Sequence, residues 1–382
     1  MSVYITNTAE FLPNEPVGND QIESVLGMIG GKPSRARRLV LRSNGIKQRY
    51  YAIDSATAEI RYTNAQMTAE AIRKLFASAS ELDQIACLAT GTSMPDQIMP
   101  SHGVMVHGEL KCAPCEVIST AGICLSGMTA LKYAYLGVKS GEFQMAVASG
   151  SELASPILHA RNFRSESLQK VESLKKIPEI AFEKDFLRWM LSDGAGAFRI
   201  ENSPIRRGDQ PVFEIEWIEM FSYANELDTC MYAGAEKQND GSLKGWRLYD
   251  QDELINHSVL TVKQDVKLLN ENIVPVTIQQ TLTKVIEKSA IKPEQIDYFL
   301  PHISSMFFYE KVFEALAEMD FYLPKERWFT NLATKGNVGS ASIYLMLDEL
   351  AKSGRLVTGD RLLCFIPESG RFSSAFMLLK VV

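Results

Sequence analysis

The chain has 382 residues, 46% of them hydrophobic, and a formal net charge of −6. That is enough apolar material for one duplicated core or two ordinary domains without disulfide staples. Its acids and bases are intermixed, with no long basic run and no stretch near the roughly 18 apolar residues of a membrane span, so neither a nucleic-acid partner nor membrane insertion is expected.

The N-terminal run MSVYITNTAEFLPNEP lacks the charged start and apolar centre of a signal peptide. Six cysteines, at 87, 112, 115, 124, 230 and 364, show no disulfide-framework spacing. Together these features predict a cytoplasmic protein with free thiols. The cluster Arg35, Arg37, Arg38, Arg42 suits an acidic partner, a phosphate or an ordinary solvated basic face.

Helical periodicity then alternates with short apolar runs, which predicts an α/β protein with strands buried under helices. The segment TAEAIRKLFASASELDQIACLATGT reads as an amphipathic helix, a turn, and a strand beginning near Asp83. Lys111-Cys112-Ala113-Pro114-Cys115 has the C-x-x-C spacing of redox and zinc sites. With no second pair or nearby histidine cluster to complete four ligands, it reads as structural and no metal site is expected. GICLSGMTAL, residues 122–131, passes from a strand-like run through small residues into a helix pattern and carries Cys124 at the junction. Asp193-Gly194-Ala195-Gly196-Ala197 lacks the Lys-Ser/Thr ending of a P-loop and the full G-x-G-x-x-G pattern, so it reads as close packing at a strand start.

The second half repeats this rhythm. TLTKVIEKSAIKPEQIDYFLPHISS again reads as helix, turn and strand; Ile72 and Ile286 lie 214 residues apart, as do Asp83 and Asp297. Cys124 falls opposite Asn337 and Gly141 opposite Gly354, each pair 213 apart, with ALKYAYLGVKSG and SIYLMLDELAKSG as matching helices. Four matches at a nearly constant offset favour duplication. They predict halves spanning 1–205 and 206–382, with an insertion around 211–260. Equivalent strand ends should then converge, as ligand sites do outside the carboxyl ends of strands in open α/β sheets. Cys124, His302 and Asn337 all lie at such ends.

Taken singly, each of the three has a bland reading. A cysteine is commonly a small buried hydrophobe, a histidine after a strand a satisfied structural group, and an asparagine among glycines a turn residue. Cys124 also sits at a helix start, where unpaired N–H groups and the helix dipole should stabilise a thiolate. Duplication brings the three to one place, where they can be tested as a set.

As a set they resemble a known family. GICLSGMTAL is similar to the nucleophile motif of thiolase-fold condensing enzymes, PHISS to their histidine motif and KGNVGSAS to their asparagine motif. The Cys-His-Asn order resembles β-ketoacyl-ACP synthase III (KAS III) and its relatives. Similarity extends over SNGIKQRYYA, ATGTSMPD, LSDGAGAF and the closing glycine turn. The resemblance implies duplicated halves in a layered αβαβα arrangement, and an acyltransferase that needs no cofactor. Its partners would be acyl-CoA or acyl-carrier-protein thioesters, the carrier protein itself, and a second copy in a homodimer.

The implied roles are specific. Cys124 would carry the acyl group, while His302 and Asn337 stabilise the enolate of a decarboxylated malonyl or β-ketoacyl thioester. The backbone N–H groups of Cys124 and Gly370 would form the oxyanion hole. Met99 would line the partner subunit's acyl pocket. The family's usual glycine triplet is altered to Ser369-Gly370-Arg371, and its carrier-handling asparagine and arginine are replaced by Ser305 and Phe307. The 108 residues between Asp193 and His302 exceed the usual length, and the surplus is expected to cap or reshape the substrate tunnel. These departures point to specialised fatty-acid or polyketide chemistry. Head-to-head or cyclising condensation on the same triad, and a non-catalytic partner subunit of a heterodimeric ketosynthase, stand as alternatives. A thiolase is disfavoured, because Cys364 is followed by Phe365 and Ile366 rather than the C-x-G context of a second catalytic cysteine.

Overall fold

The protein is seen in a computed structural model that describes residues 1–34, 36–163 and 186–382. Nine strands form the main sheet: β1 (Tyr4–Phe11), β2 (Cys87–Thr92), β3 (Glu116–Ala121), β4 (Met145–Glu152), β5 (Gly194–Glu201), β6 (Phe213–Ser222), β7 (Tyr298–Pro301), β8 (Arg361–Glu368) and β9 (Ser373–Val381). Their spatial order is β7-β8-β9-β6-β1-β5-β4-β2-β3. β2 runs parallel to β3 and β4, and β5 is antiparallel to both β4 and β1. The other side repeats this, with β7 parallel to β8 and β9 antiparallel to both β8 and β6. The counterpart of β3 is reduced to one parallel bridge between Phe299 and Trp328. Within the sheet, the strands of the two sides pair where Tyr4 and Ile5 meet Glu214 and Phe213.

Strand alternation produces five layers. In β2, Cys87 and Ala89 face a central core while Leu88 faces an outer one; in β8, Cys364 and Ile366 face the centre and Leu363 and Phe365 face out. The central core encloses α3 (Ser126–Ser140) and α7 (Ser342–Lys352) between the two sides of the sheet. One outer layer holds α1 (Asn64–Arg73) and α2 (His102–Leu110); the other holds α5 (Thr281–Ser289) and α6 (Tyr309–Glu318), preceded by α4 (Val266–Val274). This is the expected αβαβα arrangement.

Local signals explain most boundaries. Thr63 and Gln66 cap α1 reciprocally. Both Gly141 and Gly354 take positive φ just past their helices, at 86° and 70°. β2 begins at Cys87 rather than near Asp83, because Ala79–Leu82 make a short helical turn first. β6, inside the 211–260 region, is a full strand of the main sheet. Arg35 of the basic cluster lies outside the described residues, and Arg37 pairs with Asp20 and Glu23 at 3.1 Å each. Among the described residues, no helix is long and apolar enough to cross a membrane.

Candidate active site

Cys124 lies in the bend between β3 and α3, two residues before the helix begins. Its side chain is almost wholly buried, with the residue 8% exposed. Burial, and then the charges of Glu152 and Glu368, push its thiol well above the ordinary value; its own backbone N–H acts the other way. The expectation of a thiolate stabilised by the helix start is therefore reversed. Desolvation of the charged form outweighs the N–H groups of the turn.

The asparagine loop is held against the cysteine side by backbone bonds. Asn337 N–H donates to Met190 O at 3.0 Å, and Ser192 N–H donates to Asn337 O at 2.9 Å. Ser340 Oγ donates to Ser151 O at 2.8 Å, and Tyr344 OH donates to Gly127 O at 2.8 Å. This close approach requires glycine: a Cβ at either Gly127 or Gly150 would overlap the Ser340 carbonyl oxygen. Asn337 Oδ1 accepts from Gly339 N–H at 3.0 Å. Its carbonyl end is thereby occupied, which leaves the amide NH2 as a donor toward a ligand.

His302 follows β7 directly, and its backbone N–H extends the ladder to Phe365 O at 2.8 Å. Its ring is buried, which lowers its pKa to about 4. Near neutral pH the imidazole is uncharged, with one nitrogen donating and the other accepting.

Two cavities meet at the cysteine. The larger, about 590 Å³, is lined by Cys124, Asn337, Glu152, Glu368 and Gly370, with Ile157, Leu158 and Met190 among its apolar walls. The smaller is lined by Cys124 and His302 together with Ile303 and Phe308. The predicted cysteine, histidine and asparagine thus converge. The larger volume is that of a small-molecule site. Residues of the long segment after Ser222, including Met231, Tyr232 and Val262, complete its wall.

Gly370 also borders this cavity, but its N–H donates to Glu368 Oε1 at 2.6 Å. A Cβ at Gly370 would collide with that carboxylate. The backbone donor expected for an oxyanion is present and engaged by a side chain. The next buried residue, Phe372, has a φ of 57°, a costly conformation for a bulky side chain that holds this turn in shape.

Glu152 and Glu368 were not singled out from the sequence. Glu152 Oε1 accepts from Ser93 Oγ at 2.6 Å, Ser93 N–H at 3.2 Å and Ser340 N–H at 3.0 Å. Burial nevertheless raises its pKa to about 7. Burial also raises Glu368, against hydrogen bonds from the backbone of Gly370, Arg371 and Ser373. Each is the last residue of its strand, a position that gives little signal in the sequence. Met99 is 77% exposed and does not line either of the two cavities that meet at Cys124. Asp193 accepts from Ala52, Ala154 and Ser155 N–H at 2.7, 2.6 and 2.9 Å, a structural staple beneath β5.

Residues 286–371, which include His302, Asn337 and Gly370, match the family model of the 3-oxoacyl-[acyl-carrier-protein (ACP)] synthase III C-terminal domain. The β-ketoacyl-[acyl-carrier-protein] synthase III of Aquifex aeolicus is 25% identical over 366 residues, covering 95% of this chain and 94% of its own length. Among solved structures, AbyA1, a tetronic acid condensing enzyme, superposes with a TM-score of 0.74 at 18% identity, covering 99% of both chains. An OleA variant of Xanthomonas campestris with bound lauric acid and lauroyl-CoA gives 0.72 at 18% identity, covering 100% of this chain and 99% of that one.

Proposed function

From its similarity to β-ketoacyl-ACP synthase III and to thiolase-fold condensing enzymes, we propose that this chain joins two acyl thioesters through an acyl-Cys124 intermediate. The observation that carries this reading is the meeting of two cavities at Cys124, one bordered by Asn337 and the other by His302.

In the proposed reaction, the Cys124 sulfur attacks the first thioester carbonyl and its proton leaves with the departing carrier thiol. The oxyanion formed on the way takes backbone N–H bonds from Cys124 and Gly370, which requires Glu368 to release the Gly370 donor. A second thioester of the malonyl type then loses its carboxylate as CO2. His302 and the Asn337 amide NH2 donate to the enolate oxygen, and donors of this kind contribute about 3 to 4 kcal/mol each. The enolate carbon attacks the acyl carbonyl, the carbon–carbon bond forms, and Cys124 leaves and regains a proton. Acyl-CoA or acyl-carrier-protein thioesters are the proposed substrates.

The buried carboxylates favour a second reading on the same site. An ionised Glu152 or Glu368 would repel a malonyl carboxylate, yet either could take an α-proton from an ordinary acyl thioester and give the enolate without loss of CO2. The product then keeps both complete acyl chains. Supplying each acyl pair and measuring product mass together with CO2 release separates the two.

The primary test is an intact-mass increase after incubation with acyl-CoA or acyl-carrier protein over a range of chain lengths, absent in Cys124→Ala. No adduct at any length would establish a non-catalytic partner subunit instead. A homodimer is also proposed, supported by the exposed apolar side chains of Ile98, Met99 and Val104 beside the edge strand β3. A monomer by light scattering at micromolar concentration would remove Met99 from the acyl pocket. The division into halves at 205/206 is proposed on the shared strand order of the two sides of the sheet.

A further inference from the structure

The C-x-x-C segment lacks a third ligand in the sequence because its histidine belongs to the preceding helix. His107 lies in the last turn of α2. Lys111 then takes a left-handed conformation, φ 54°, and its N–H donates to His107 O at 3.0 Å, so the chain reverses against the helix end. This reversal brings a ring nitrogen of His107 and the sulfurs of Cys112 and Cys115 within 4.8 Å of one another.

The loop between the cysteines is anchored from outside the trio. Ala113 N–H donates to Asp83 Oδ1 at 2.8 Å. The carbonyl of the same residue lies 3.2 Å from His107 Nε2. Since a carbonyl only accepts, Nε2 carries the proton and Nδ1 keeps the lone pair. A backbone carbonyl fixing the tautomer in this way is the usual outer-shell partner of a metal-binding histidine.

From this arrangement we propose that His107, Cys112 and Cys115 bind a zinc ion, with a solvent molecule as fourth ligand. Two thiolates and an imidazole are the donor set zinc favours. With Zn–S bonds of about 2.3 Å, tetrahedral geometry places sulfurs about 3.8 Å apart, a spacing that fits inside the 4.8 Å enclosing the three donor atoms. All three residues are only half-buried, which leaves the fourth position open to water. The ion ties the end of α2 to the start of β3, the edge strand of the main sheet, since Cys115 immediately precedes Glu116. Its role is structural, and it is independent of the condensing chemistry.

Cobalt(II) tests the assignment as a spectroscopic stand-in for zinc. The full-length protein is reduced, stripped with a chelator and titrated. One equivalent per chain should give a thiolate-to-cobalt charge-transfer band with tetrahedral visible bands, displaced by zinc. Cys112→Ser and Cys115→Ser should abolish the bands, and His107→Ala should weaken binding at least tenfold. Retained acylation of Cys124 in these variants shows that they are folded. Cys124→Ser should bind as the wild type does. Zinc should raise the melting temperature of the wild type and leave that of Cys112→Ser unchanged. Absence of the bands in reduced wild type overturns the proposal. So does their persistence in the Cys112→Ser/Cys115→Ser protein, or their loss in Cys124→Ser.

Discussion

Replacing Glu152 by glutamine isolates the electrostatic strain at the cysteine. The three hydrogen bonds to Glu152 all end on one oxygen, Oε1, which a glutamine carbonyl supplies equally well. What changes is the charge. Burial raises this carboxyl from 4.5 to about 7, so between those values the folded state holds a proton that the unfolded chain releases. Stability from this group is therefore fully present below pH 4.5 and is lost as pH rises through 7. At about 1.4 kcal/mol per unit, the ionised group costs about 3 kcal/mol at pH 8 and about 1 kcal/mol at pH 5. Glutamine escapes this cost. The stability gap between Glu152→Gln and wild type should consequently widen by about 2 kcal/mol from pH 5 to pH 8, or roughly 3 °C in melting temperature for a chain of this size. Thermal scans of both proteins at the two pH values measure it. An unchanged gap would mean that Glu152 is ionised at both pH values, and the argument from burial would fail.

His302→Ala and Asn337→Ala should each still acquire an acyl group on Cys124 but lose condensation by on the order of 10²–10³-fold, read from product formation. Normal condensation in either removes that residue from the enolate role. Gly370→Ala should lose about 1 to 3 kcal/mol of stability together with adduct formation, because its new methyl group meets the Glu368 carboxylate; wild-type melting and acylation would contradict this. Glu368→Gln should lower the Cys124 pKa and speed its alkylation by iodoacetamide at pH 8, since Glu368 is one of the charges holding the thiol protonated. An unchanged rate would show that the carboxylate does not act on the sulfur.

The candidate site residues were legible because Cys124 and His302 follow strands and Asn337 stands among small residues, local patterns that survive without neighbours in view, although a short helix, Leu332–Lys335, and not a strand precedes Asn337. The repeat offset then indicated that those positions converge. β6 was partly hidden in the supposed insertion because Glu214, Glu216 and Glu219 interrupt its apolar run. In the fold, Glu216 pairs with Arg361 and Glu219 with Lys288, so partners distant in sequence satisfy its polar face. His107 was missed for a related reason. Its approach to the cysteines depends on the left-handed turn at Lys111, and nothing in a lysine announces positive φ.

Glu152 and Glu368 show a deeper limit and change the chemistry. A helix start argues for a ready thiolate, and the sequence contains no signal against it. Only the fold reveals that two carboxylates 216 residues apart border the same cavity as Cys124. With the thiol raised and His302 lowered to about 4, the resting pair is neutral near pH 7. An ion pair would have required desolvating both charges, at a cost of several kcal/mol. In the proposed reaction the nucleophile then forms as it attacks, its proton passing to the neutral imidazole or to the leaving thiol. A thioester carbonyl in the cavity is what makes that transfer favourable, so reactivity is coupled to substrate binding. The burial that suppresses the thiolate thus comes from the same cavity that is proposed to take the acyl chain.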